Sequence, residues 1–116
     1  MKLSNKYRQA IFYKDYFQRF FLKQSIKVRE KIIWTIELIE ELERVPDIYL
    51  KHLTSAEGLY EIRIKSQRDI FRIFCFFDKG KLIVLMNGFQ KKAQKTPKKE
   101  IEKALKIMEE YYNENQ

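Results

Sequence analysis

Leu59-Tyr60-Glu61-Ile62-Arg63-Ile64-Lys65, Ile70-Phe71-Arg72-Ile73-Phe74-Cys75-Phe76-Phe77 and Leu82-Ile83-Val84-Leu85-Met86 follow one another almost without pause. Each run is rich in β-branched and aromatic residues, and each break between them has turn chemistry. Ser66-Gln67-Arg68-Asp69 reads as a hairpin connection, and Asp78-Lys79-Gly80-Lys81 as a compact turn in which Gly80 can take positive φ. Alternation in the first run puts Leu59, Glu61, Arg63 and Lys65 on one side, with Tyr60, Ile62 and Ile64 on the other. The last run is continuously apolar, as expected of a central strand covered on both faces. The stretch therefore predicts an antiparallel meander. Arg63, Lys65 and Arg72 lie inside these apolar strands, where a cation needs a partner or a purpose.

Working outward, residues 7–13 contain Ala10-Ile11-Phe12-Tyr13 and suit a short first strand. From Lys14 the spacing becomes helical, with Tyr16, Phe17, Phe20 and Phe21 on one face. Val28, Ile32, Ile36 and Ile39 form a second stripe flanked by Ile33 and Leu42, and Ser25 is placed to N-cap it, giving a helical hairpin. Aromatic residues at helical spacing serve packing before they serve base stacking. Glu37, Glu40, Glu41 and Glu43 read as a solvated acidic face, and Pro46 ends the helix near Val45. Residues 50–53 read as a link, and Ser55-Ala56-Glu57-Gly58 as the turn into the meander. Beyond it, Lys91, Lys92 and Lys95 fall in a loop, and Thr96-Pro97 opens a last helix with Thr96 as its cap. Ile101, Ala104, Leu105, Met108 and Tyr112 give that helix its apolar face, and residues 113–116 read as a frayed end. The predicted order is β-α-α-β-β-β-α: a single α+β domain over residues 1–116, with helices packed on a mainly antiparallel sheet.

A chain of 116 residues that is 45% hydrophobic can bury one core, and its formal charge of +8 favours a polyanionic partner. The lone cysteine, Cys75, allows no internal disulfide and sits where a thiol is buried. One histidine, His52, leaves no ligand set for a metal, and no cofactor motif is present. No apolar run approaches a membrane span and no secretory leader is visible, so a cytoplasmic protein is expected. A serine or cysteine triad would need its histidine from His52 alone. The chemistry left is cationic: Arg63, Lys65 and Arg72 on strands, then Lys91, Lys92 and Lys95. Lys98 and Lys99 open the last helix against its dipole, an unfavourable placement that an anion there would offset.

Gly58-Leu59-Tyr60-Glu61-Ile62-Arg63, Phe71-Arg72-Ile73-Phe74, Ile83-Val84-Leu85, Gly88-Phe89 and above all Lys91-Lys92-Ala93-Gln94-Lys95-Thr96-Pro97 resemble, in order and spacing, the RelE/ParE superfamily of toxins from toxin–antitoxin pairs. The likeness is greatest to the HigB-type, phage-derived branch. It implies a RelE-like fold, a cognate antitoxin that is a small helix-turn-helix protein, and metal-independent cutting of mRNA in the ribosomal A site. By the same resemblance, Arg63 and Arg72 hold and stabilise the cleaved phosphate, and Lys91 and Lys92 support RNA binding or catalysis. Lys65, Lys95, Lys98 and Lys99 would bind nucleic-acid phosphates.

Asn87 stands where many HigB-like members carry histidine, and Glu61 where RelE has a basic residue, so the proton-transfer groups are open; His52 is one candidate. Cutting RNA through its 2′-OH needs a proton acceptor, stabilisation of the phosphoryl oxygens and a donor to the leaving 5′-oxygen. Arginine forks suit the second task, and a lysine suits the others only if neighbouring cations lower its pKa. Two alternatives fit the same charge: a ParE-like gyrase inhibitor without nuclease activity, and a passive nucleic-acid-binding module.

Overall fold

The computed structural model describes residues 6–115. Their elements are β1 (Gln9–Phe12), α1 (Tyr16–Leu22), α2 (Ile26–Glu41), β2 (Leu50–His52), β3 (Tyr60–Ser66), β4 (Asp69–Asp78), β5 (Leu82–Lys91) and α3 (Lys98–Glu114). The strands form one sheet in the order β1-β5-β4-β3-β2. Only β1 runs parallel to its neighbour, with Gln9 beside Leu82 and Phe12 beside Leu85; the other pairings are antiparallel. This is the expected α+β class.

The meander forms for the reasons its sequence gives. Arg63 lies opposite Arg72 and Ile62 opposite Ile73, while Lys79 and Gly80 turn the β4–β5 hairpin with φ of 54° and 76°. One face buries Ile62, Ile64, Phe71, Ile73, Ile83 and Leu85 under Phe17 and Phe20 of α1 and Val28, Ile32 and Ile39 of α2. The opposite face buries Leu59, Phe74, Phe76, Val84 and Met86 under Ala104, Ile107 and Tyr111 of α3. Cys75 is fully buried, as its apolar run implied, and burial pushes its thiol pKa up.

Local chemistry fixes the helices. Ser25 accepts a hydrogen bond from the Val28 amide at 3.3 Å, so it caps α2 as expected. Arg29 donates to the carbonyls of Phe21 and Leu22, satisfying the end of α1. Lys14 ties the β1–α1 corner to α3 through Glu110 at 2.8 Å and Glu114 at 2.9 Å.

Several expectations are corrected. Residues 50–52 form β2 rather than a link, because Leu50 and His52 pair with Ile62 and Tyr60. The first strand is shorter than residues 7–13, and α1 begins at Tyr16 rather than Lys14. β5 continues past Met86 to Lys91, carried by pairing with β4 as far as Ile70, so Lys91 is a strand residue and not a loop residue. Thr96 does not cap α3: Pro97 occupies the cap position, and the Thr96 hydroxyl is used elsewhere. α3 stays helical through Glu114, so residues 113 and 114 are not frayed; residue 116 lies outside the described residues. Glu40 is buried rather than solvated. It accepts from the Ala10 amide at 2.8 Å and pairs with Lys6 at 3.1 Å, holding the β1 edge against α2.

Candidate nucleic-acid interface

α3 packs on β5 and β4, and its N-terminus leaves the far end of the sheet uncovered. At that open end, strand alternation aims Glu61, Arg63 and Lys65 of β3 and Arg72 of β4 to the same face. Arg63 and Arg72 are direct cross-strand partners. Two like charges so placed repel, and Glu61 resolves the conflict. Its Oε1 lies 3.4 Å from Arg63 Nη2 and 3.8 Å from Arg72 Nε. Its Oε2 accepts a 3.0 Å hydrogen bond from Thr96 Oγ1. Glu61 is nearly sealed from solvent, with its side chain 4% exposed, against 11% for Arg72 and 29% for Arg63. The carboxylate thus holds two guanidinium forks from beneath.

Those forks are under-used. The Nε atoms of both arginines are buried without a hydrogen-bond partner, and Arg72 Nη1 finds only the Phe71 carbonyl, at 3.3 Å. An oxyanion over the pair would supply the acceptors they lack. Arg63, Lys65 and Arg72, with Ile70 and Ile48, line a shallow cleft of about 200 Å³. Lys91, at the end of β5, feels the same cluster. Burial lowers its pKa first, the Arg72 charge next, and Arg63 further, while Glu61 opposes them. Burial also lowers the pKa of Arg72, with Glu61 opposing and Arg63 adding to the effect.

The fold therefore brings Arg63, Arg72 and Lys91 together, with Lys65 at the margin. Lys92, Lys95, Lys98 and Lys99 are exposed on the loop and the first turn of α3, beyond the cluster itself. His52 sits beside Tyr60, their ring centroids 5.0 Å apart. Because Tyr60 packs with the α1/α2 core, His52 lies on the opposite face of the sheet from Arg63. Asn87 is buried, and its Nδ2 donates to the backbone oxygen and Oε1 of Glu100 at 3.4 and 3.3 Å, linking β5 to the start of α3. Sequence reasoning missed two members of the site: Glu61, noted only as a departure, and Thr96, assigned to a cap. Glu61 shares the strand face of Arg63, which was the available signal.

Among the described residues, no three acidic, histidine or cysteine side chains converge as a metal site, and no helix is long and apolar enough to cross a membrane.

A basic cluster at the open end of a helix-covered, mainly antiparallel sheet defines a small α+β protein with a cationic site. The chain matches the family described as phage derived protein Gp49-like (DUF891) over residues 19–109. It belongs to that family, a RelE/toxin-like one. A search of curated proteins finds no match.

Proposed function

We propose that the protein is the toxin of a toxin–antitoxin pair, of the HigB-like branch, and cuts mRNA in the ribosomal A site. The observation that carries this reading is the Arg63–Arg72 pair over Glu61, at the wall of an open cleft. In this reading the scissile phosphate lies across both forks, which stabilise the charge growing on its non-bridging oxygens. The 2′-oxygen attacks phosphorus and gives up its proton to water, while Glu61 keeps the two forks in place beneath the phosphate. The P–O5′ bond breaks, and Lys91, its pKa lowered, donates a proton to the 5′-oxygen. The products are a 2′,3′-cyclic phosphate and a free 5′-hydroxyl, and no metal takes part. Lys92, Lys95, Lys98 and Lys99 would hold flanking RNA or ribosomal phosphates, and a cognate helix-turn-helix antitoxin would neutralise the toxin in the cytoplasm.

The test is induction of wild type beside Arg72→Ala and Lys91→Ala, with mapping of transcript 5′ ends. Wild type should arrest growth and create new 5′ ends inside translated codons. Arg72→Ala should lower cutting by about 10²–10³-fold, the scale of losing one transition-state donor. Growth arrest with intact transcripts would overturn the reading, and trapped gyrase–DNA breaks in their place would favour the ParE-like alternative.

A further inference from the structure

The outer edge of β5 carries a second polar recess. β1 pairs with β5 only from Leu82 to Leu85, so Asn87–Gln90 line a notch of about 380 Å³ instead of a ladder. α1 supplies Arg19 and, just past its end, Lys23 to the walls, and α3 supplies Lys103. The volume lies within the usual range for a small-ligand pocket.

Its charges are poorly matched from within. Among the described residues, Arg19 engages Asp15 through Nε alone, at 2.8 Å, leaving both terminal nitrogens of its fork uncommitted. Among the described residues, neither Lys23 nor Lys103 makes an ion pair. Asn87 spends its amide donor on two acceptors of Glu100, which fixes the orientation of the amide. Its Oδ1 is buried with no partner. Tyr16 and Phe89 add aromatic surface to the same recess. Three cations, aromatic surface and an unmet acceptor match the three parts of a nucleotide: phosphate, ring face and ring-edge donor.

We propose that this notch is a nucleotide subsite for the RNA strand whose scissile phosphate lies at Arg63 and Arg72. It rests on the RNA-cutting reading for its substrate, though its binding chemistry stands separately. Arg72 lies directly across from Phe89 in the β4–β5 ladder. One strand spacing, about 4.8 Å, therefore separates the two sites at the backbone. A neighbouring nucleotide of the same strand, passing over β5, reaches the notch: its phosphate meets Arg19, Lys23 and Lys103, and its base lies against Phe89 and Tyr16. An extended acidic peptide adding to the β5 edge is the competing occupant. It would call for apolar side-chain pockets at alternate positions, which this mainly polar recess does not offer.

The experiment titrates the isotope-labelled full chain with 5′-AMP and follows backbone amides by NMR. Saturable shifts at Asn87–Gln90 are expected, with affinity falling at least tenfold in Arg19→Ala/Lys23→Ala and staying unchanged in Arg72→Ala. Arg19 and Lys23 are both exposed, and unchanged amides elsewhere confirm that the double variant is folded. With single-stranded RNA, the double variant should also lower the slope of log K against log salt by about 0.7, the loss of one phosphate contact. Shifts confined to Arg63, Arg72 and Lys91, no shifts at all, or shifts at Asn87–Gln90 with an acidic peptide but not with AMP would overturn the subsite. Transcripts left uncut while AMP still binds the notch would overturn the nuclease reading alone.

Discussion

Lys91 is where the charges of the site can be weighed one at a time. Arg72 and Arg63 lower its pKa and Glu61 raises it. Arg72→Ala should therefore move the Lys91 titration to higher pH, and Glu61→Gln should move it lower still; side-chain NMR reads both. Because its folded pKa lies below the unfolded value of about 10.4, the unfolded chain binds more protons between the two. Stability from this group thus rises as pH climbs through that window, and below it the charged lysine disfavours the fold. Lys91→Met should abolish the rise, seen as a flatter dependence of the denaturation midpoint on pH. Glu61→Gln should also destabilise the protein by about 3 kcal/mol, since it leaves two guanidiniums facing each other over a neutral amide. At this scale the sequence displays Arg63 and Arg72 plainly, because a cation in an apolar strand stands out. It names Lys91 but hides its place in the strand, because Asn87, Gln90 and Lys91 break the apolar run and so resemble loop residues. Only the ladder to Ile70 keeps them in the strand.

Between elements, α1 approaches β5 closely at Gly88. A Cβ built on Gly88 would lie 2.6 Å from Phe20 Cδ2, and Phe20 is itself held in the core edge-to-face with Phe71. Gly88→Ala should cost about 2 kcal/mol in a urea unfolding experiment, because Phe20 is pinned by Phe71 and cannot give way. Caps divide in legibility. Ser25 works as its sequence position predicts because nothing nearby competes for its hydroxyl. Thr96 fails as a cap because buried Glu61 takes the hydroxyl instead. The same preference ties the loop after β5 to the cation cluster. Thr96→Val should loosen that loop at a cost of about 1 kcal/mol, measurable as faster amide exchange from Lys92 to Pro97's neighbours. The β2 strand was not legible, since three residues are too few to show a period.

For the whole molecule, class and meander were legible because neighbouring strands pair in chain order. The parallel β1–β5 pair was not, since nothing local in either strand names a partner at the other end of the chain. That pair also sets a clock. The meander that carries Arg63 and Arg72 closes through short turns, whereas β1 has no strand to join until β5 has been made, roughly 70 residues later, about 4–15 s at ordinary rates of synthesis. Until then α1 lacks β5, which supplies Ile83 and Leu85 to the core beneath it. Nascent chains stalled at residue 80 should be cut throughout by protease, and chains carried past β5 and α3 on an added linker should resist. A ribosome making this protein must carry the chain past β5 before the fold can close around its cations.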